Sequence, residues 1–326
     1  MKVLLFTDAD KDDLYSLVIL VAQAYRKNIK MLGIVCEDGF LSYPENVSIT
    51  NFWLTDILNY DKIKIYRGID RDPYLKQQRN FPPLFVSSYL EVMKNNFGYQ
   101  RSNFAGENLD ELVEKLRDED DKSISILTTG NVTTLAHLLK KHKFFKSKVK
   151  EVFTMGGNFK VPGNVPPEDP LRPRVVPNAE FNFYLDPTSV STVLTYLGEK
   201  LHICPLDATN FAPLDRQTIL AIRAAAEEHI ATIKDPFIKN LHEQFLKLLE
   251  STLLTVNTKL FLWDLVATLL FLGADLNEKS IKENVEIIWT GQIVRTLPTD
   301  RNKCIIFTFI DFKALIKRIV EHLVRR

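Results

Sequence analysis

Cysteine is scarce in this chain of 326 residues: Cys36, Cys204 and Cys304 are the whole complement, an odd number at wide spacing. That rules out a disulfide framework and a cysteine-built zinc site, and it points to a reducing compartment. A charge surplus of either sign is missing as well, with 42 Lys and Arg against 41 Asp and Glu, so nothing advertises nucleic acid or an anionic membrane as a partner. No apolar stretch runs long enough to span a bilayer, and the apolar residues ahead of Asp8 are too few for a signal-peptide core. The expected location is the cytoplasm, with no membrane association. Also absent are internal repeats, low-complexity segments, a P-loop, a dinucleotide glycine fingerprint and any Ser-His-Asp pattern. What remains, 45% hydrophobic and 25% charged, is the composition of a soluble chain able to bury a large core.

Against that plain background stands Val3 to Asp13, a short apolar run that ends in four carboxylates, Asp8, Asp10, Asp12 and Asp13. The run reads as a buried strand, and Leu14 to Ala22 resumes at once with the apolar density of a helix. The acids therefore sit at a strand's carboxyl end, where open parallel sheets bind ligands and where a helix dipole favours negative charge. Capping explains one or two of them. Four within six residues repel one another unless a cation neutralises them, and an all-oxygen set suits calcium or magnesium. A solvated acidic turn is the plainer alternative.

Further strands are expected from Met31 to Cys36, Ile63 to Tyr66, Ser125 to Gly130, Val149 to Met155 and Leu201 to Cys204. Helices are expected up to about Lys27, then from Ile49 to Leu58, Val132 to Lys141 and Asp186 to Tyr196. That alternation is the grammar of a mostly parallel, doubly wound α/β sheet flanked by helices. Residues 70–105 show no clean period and read as a long loop or cover. Six prolines from Pro162 to Pro177 make that stretch an irregular excursion. Leu214 to Leu254 is strongly helical, an elaboration outside the sheet. Trp263 opens another helix, β-rich runs follow from Val285 to Thr296 and Cys304 to Ile310, and Asp311 caps a last helix. A single domain over residues 1–326 is the expectation.

In a parallel sheet the strand ends share one rim, so Asp8, Asp10, Asp12 and Asp13 would meet Asp38, Thr129 and Asn131 there. Asn164, Glu180 and Asn182 on the excursion, and Asp264 opening a late helix, could close the site from above. Such a concentration of carboxylates and amides suits a sugar.

These residues resemble the nucleoside hydrolases. Asp8-Ala9-Asp10-Lys11-Asp12-Asp13 matches that family's aspartate cluster, and later blocks fall in its order: Cys36-Glu37-Asp38, Leu127-Thr128-Thr129-Gly130, Met155-Gly156-Gly157, Gly163-Asn164-Val165, Ala179 through Pro187, and Trp263-Asp264. The match covers essentially the whole chain. What it implies is an N-ribohydrolase with calcium at the bottom of a ribose pocket. Asp8 would be the base that deprotonates a calcium-held water. Asp8, Asp13 and Asp264 would ligate the ion with the backbone carbonyl of Thr129. Asp12, Asp38, Asn164, Glu180 and Asn182 would bind the ribose. In the pyrimidine-accepting branch a histidine commonly precedes the late aspartate, and here that place is Trp263. Phe85 sits where a second ring is expected, so the likeness is to the purine-preferring branch, with Phe85 and Trp263 stacking on the base. The implied partner is a small nucleoside, and the family allows a homo-oligomer, dimer or tetramer.

Four positions depart from the family pattern. Phe6 replaces an aspartate two places before the base, Asp10 replaces an asparagine or glycine, Asn131 replaces a proline, and Thr134 stands where an asparagine is common. Two other readings compete. A haloacid-dehalogenase-type phosphatase would use Asp8 as nucleophile and Asp10 as acid, with Thr128 as its second motif, but Asp12-Asp13 intervenes where an apolar helix start is wanted. A non-catalytic relative that binds nucleoside or calcium would have kept the cage and lost turnover.

Overall fold

The computed structural model describes residues 1–79, 83–165, 178–253, 261–295 and 302–324. Strand β1 (Lys2–Thr7) lies at the middle of the molecule, with Val3 through Phe6 buried. Successive side chains on a strand point to opposite faces, and here Val3 and Leu5 enter one core while Leu4 and Phe6 enter another. A strand buried on both faces needs helices on both.

The chain supplies them in alternation: α1 (Lys11–Tyr25), β2 (Lys30–Cys36), α2 (Tyr43–Phe52), β3 (Ile65–Arg67), α3 (Pro73–Gln78), α4 (Pro83–Phe97), α5 (Leu109–Arg117), β4 (Ile124–Thr128), α6 (Thr133–Lys141), α7 (Phe145–Lys148) and β5 (Val149–Met155). After the proline-rich stretch come α8 (Phe181–Leu185), α9 (Pro187–Leu197), β6 (Leu201–Cys204), α10 (Leu206–Thr209), α11 (Arg216–Ile230), α12 (Pro236–Leu253), α13 (Trp263–Phe271), β7 (Lys279–Ile287), β8 (Ile293–Arg295), β9 (Lys303–Phe309) and α14 (Phe312–Val324).

Together the strands form one sheet in the order β3-β2-β1-β4-β5-β6-β9-β7-β8. Pairing is parallel from β3 across to β9, and β7 runs antiparallel to both its neighbours. The mostly parallel, doubly wound sheet expected from the sequence is therefore present. Its winding reverses between β1 and β4, because the chain first builds outward to β3 and then returns to build the other way. At such a reversal the connections diverge and leave a crevice at the strands' carboxyl ends. Register places Thr7 opposite Cys36 and Phe6 opposite Thr128, so the residues after β1, β2 and β4 share that rim. Outside the sheet, α11 and α12 pack on each other and on α14, the expected helical elaboration. Among the described residues no helix is long and apolar enough to cross a membrane.

Several boundaries differ from the sequence reading. Residues 70–105 are not a loop: they contain α3 and the four-turn α4, whose wide buried spacing of Tyr89, Met93 and Phe97 marks one face only. Their surroundings, rich in proline and aromatics, hide that period. Helix α2 starts at Tyr43 and passes into a π turn, Trp53–Ile57. Helix α5 has no counterpart in the sequence reading, and β7 begins at Lys279. Most of the proline-rich excursion, 166–177, lies outside the described residues, as does Thr296.

One core residue is mismatched with its surroundings. His242 of α12 is fully buried, and neither ring nitrogen has a hydrogen-bond partner among the described residues. Burial, with the positive charge of nearby groups, holds its pKa down to about 4 from 6.5. A depressed folded pKa means that the stability it contributes is full above about pH 6.5 and is lost as pH falls toward 4. His242→Leu removes two unsatisfied nitrogens, so it should stabilise the fold by about 1 kcal/mol at pH 7 and by more at pH 5. Calorimetric melting at the two pH values checks this; a variant that melts below the natural chain at both would refute it.

Candidate active site

The site begins where β1 ends. Ala9, at φ 58°, puts a residue other than glycine in the left-handed region, which turns the chain sharply from strand to helix. Asp10 then caps α1: its carboxylate accepts from the backbone of the first turn, while Asp13 Oδ2 accepts the Asp10 N–H at 2.9 Å. The other Asp13 oxygen accepts the hydroxyls of Thr7 and Thr129, which joins the ends of β1 and β4. Asp8 faces across the rim, where its Oδ2 accepts the Phe40 N–H at 2.8 Å. A side chain at Gly39 would collide with the Asp8 carboxylate, so glycine is required there.

Asp12, Asp13 and Asp264 bring carboxylate oxygens within 4.8 Å of one another. Asp264 belongs to the first turn of α13, and its backbone N–H donates to Asp12 Oδ2 at 3.2 Å. Its own carboxylate is buried beside those of Asp12 and Asp13. Burial pushes the carboxyl of Asp8 up to about 6 and that of Asp12 to about 8, and it raises Asp13 and Asp264 well above the usual range, with neighbouring carboxylates adding to the effect. Buried like charges this close are the arrangement a hard cation satisfies, and the all-oxygen donor set fits one. The grouping has Asp12 where the sequence reading has Asp8.

Beside this cluster opens a cavity of about 160 Å³. Asp10, the cap of α1, lines it with Lys11 and Asp12 of that helix, Phe85 and Tyr89 line it from α4, and Tyr15, Phe40, Phe261 and Trp263 complete an aromatic wall. Asp12 belongs to both the cluster and the cavity. Trp263 stacks on Phe261 with ring centroids 5.4 Å apart, and its indole N–H donates to Asn210 Oδ1 at 2.8 Å. The two rings expected to hold a base, Phe85 and Trp263, thus share one cavity. Among the described residues no histidine lines it. Phe40, Tyr89 and Phe261 are missed by the sequence reading; the spacing of Tyr89, one turn after Phe85, would have revealed it had α4 been recognised.

The remaining candidates have other partners. Asp38 is not brought to the cavity: it forms a buried ion pair with Arg71 Nε at 2.9 Å and lies 3.1 Å from Lys76 Nζ, because the chain after β2 turns it toward α3. Glu180 caps α8, accepting the N–H groups of Asn182, Gly157 and Phe183, and burial lifts its pKa to about 7. Asn182 Nδ2 donates to the Thr129 carbonyl at 3.0 Å, and Asn164 Oδ1 accepts the Phe181 N–H at 2.8 Å. These three build the wall between β4, β5 and α8. Asp10, spent as a helix cap, is poorly placed as the acid that a phosphatase needs.

Comparisons with known proteins agree with this geometry. The family model for inosine-uridine preferring nucleoside hydrolase matches residues 3–316. An uncharacterised protein of Schizosaccharomyces pombe is 26% identical over 211 residues, 64% of this chain and 62% of its own length. A pyrimidine-specific ribonucleoside hydrolase of Shewanella sp. (strain ANA-3) is 33% identical over 115 residues, 35% of this chain and 32% of its own. The chain therefore spans less than two thirds of the curated relatives it matches. The crystal structure of an inosine-uridine preferring nucleoside hydrolase from Bacillus anthracis superposes with a TM-score of 0.75 at 21% identity, covering 99% of this chain and 98% of that one. A purine-preferring ribonucleoside hydrolase from Gardnerella vaginalis gives 0.68 at 18% identity, covering 99% and 98%.

The raised carboxyls set the sign of a pH effect. A group whose folded pKa lies above its unfolded value contributes stability below the unfolded value and loses it as pH rises through the folded one. Stripped of divalent cations, the protein should lose stability as pH rises from about 4 through 6 to 8, the window of Asp8, Glu180 and Asp12. Millimolar calcium or magnesium should raise the melting temperature, and more at pH 8 than at pH 5. A melting temperature that ignores divalent ions at both pH values would remove the cluster as a cation site.

Proposed function

The chain belongs to the inosine-uridine preferring nucleoside hydrolase family, and from that membership we propose that it hydrolyses the N-glycosidic bond of purine ribonucleosides to free base and ribose. The observation that carries this reading is the junction at Asp12 between the buried carboxylate cluster and the aromatic cavity. One side is suited to a cation and hydroxyls, the other to a flat ring.

Asp12, Asp13 and Asp264 would hold the cation, with Asp8 beside them, and calcium is the choice because it accepts carboxylates, water and sugar hydroxyls in a flexible shell. Bound there, it supplies a Lewis acid that acidifies water and orients the ribose. Asp8, fixed by the Phe40 N–H, takes the proton from the attacking water. As oxygen approaches C1′, the C1′–N bond breaks, its electron pair leaves with the base, and positive charge grows on the ribose. The carboxylates around the ring favour that charge. Phe85 and Trp263 hold the departing base by stacking, a contact that contributes about 1 to 3 kcal/mol per base. Glu180, Asn182 and Asn164 keep the ribose wall in place through their backbone hydrogen bonds.

Purine preference rests on the breadth of the aromatic wall and on Trp263 occupying the position before Asp264. Some relatives carry pyrimidine or uridine in their names, so the choice of base is what the substrate panel below decides.

Two measurements test it. Inosine, adenosine and guanosine should each release ribose faster than uridine in a reducing-sugar assay; uridine cleaved as well as or better than the purines would reverse the preference. Asp8→Ala should cut kcat by about 10² to 10⁴ while circular dichroism keeps the spectrum of the natural chain. Near-normal turnover in that variant would take Asp8 out of the reaction.

A further inference from the structure

Tyr89 reaches from α4 to the turn that presents Asp8. Its hydroxyl donates to the Ala9 carbonyl at 2.9 Å, and both residues are buried. Ala9 holds a left-handed backbone that an L residue with a Cβ adopts at a cost. Ala9 packs in the core, and its other hydrogen bond among the described residues is local, its N–H to Thr7 Oγ1 at 3.2 Å. The ring of Tyr89 also meets Phe40 edge to face at 5.1 Å and 76°, and the Phe40 N–H donates to Asp8. These contacts close a circuit from Asp8 through Phe40 and Tyr89 back to Ala9. Burial keeps the phenol well above its usual range, so the hydroxyl retains the proton it donates.

We propose that Tyr89 is a positioning residue: its hydroxyl locks the Ala9 turn in the conformation that aims Asp8, and so couples helix α4 to the general base. The inference rests on the hydrolase reading above and adds to it a residue outside the carboxylate cluster. Helix α4 carries Phe85 one turn before Tyr89, so the helix that contacts the departing base also fixes the base that activates water. A ring that merely packed against the cavity would work equally well as phenylalanine. The hydroxyl has no such freedom, because its acceptor is the carbonyl of the strained residue itself.

The test is Tyr89→Phe, alone and combined with Ala9→Gly. Glycine adopts positive φ without penalty and should need no clamp. With inosine, Y89F should lower kcat about tenfold with KM changed less than about twofold, and the added A9G should recover most of the loss. A kcat near that of the natural chain, a loss confined to KM, or a loss that A9G does not relieve would each overturn the proposal. If Y89F folds only when A9G is present, the clamp is supported; if the double variant also fails to fold, the hydroxyl holds the core rather than the turn and the proposal falls. Hydrogen exchange over residues 6–13 separates this from the hydrolase reading. Should the natural chain release no ribose, that reading fails, and faster exchange in Y89F with recovery in the double variant still supports the clamp, whereas unchanged exchange overturns it.

Discussion

Repulsion among carboxylates forced into one dry corner is the constraint around which this molecule is built. Asp8, Asp12, Asp13 and Asp264 come from the two ends of the chain and are each nearly inaccessible to solvent. Leaving them ionised without compensation would cost several kcal/mol apiece. Much of the surrounding structure is compensation: the capping box of α1, the two threonine hydroxyls on Asp13 and the Phe40 N–H on Asp8. None of these is a full positive charge. The residual demand is one that a divalent cation would meet.

The departures from the family pattern acquire reasons in that setting. Phe6 lies on the face of β1 opposite Thr7 and packs into the second core, so it cannot brace the cluster. Thr7 and Thr129 hold Asp13 from β1 and β4 instead. Asn131 takes on a bracing task, donating to the Asp38 carbonyl at 2.6 Å and accepting the Thr133 N–H. Thr134 bonds Glu37 and the Ile69 N–H, which fastens β2 and β3 to the start of α6. Asp10 adds charge, but at a helix start where the dipole and the capping box favour it.

What the sequence disclosed, and what it hid, follows from the range of the forces involved. The sheet was legible because a strand buried on both faces leaves an uninterrupted apolar run, as in Val3 to Phe6, and because helix caps such as Asp10, Asp186 and Asp311 are local signals. The carboxylates were legible because four acids in six residues are more than helix capping accounts for. Helix α4 was not, since most of its surface faces solvent or the cavity and only Tyr89, Met93 and Phe97 are buried. The engagement of Asp38 with Arg71 was hidden too: ion pairs across 33 residues leave no trace in spacing. The wall roles of Glu180, Asn182 and Asn164 depend on backbone groups that any residue could offer.

The reversal of winding between β1 and β4 also divides labour along the chain. The floor of the crevice is made by residues that close the two central strands, and they are locked by hydrogen bonds that span the sheet. The roof is made by α4, the start of α13 and the turn at Phe40. Because Phe40 and Tyr89 hold the turn of Asp8 and Asp264 belongs to the cluster, a substitution overhead reaches the carboxylates as well as the space for a ring.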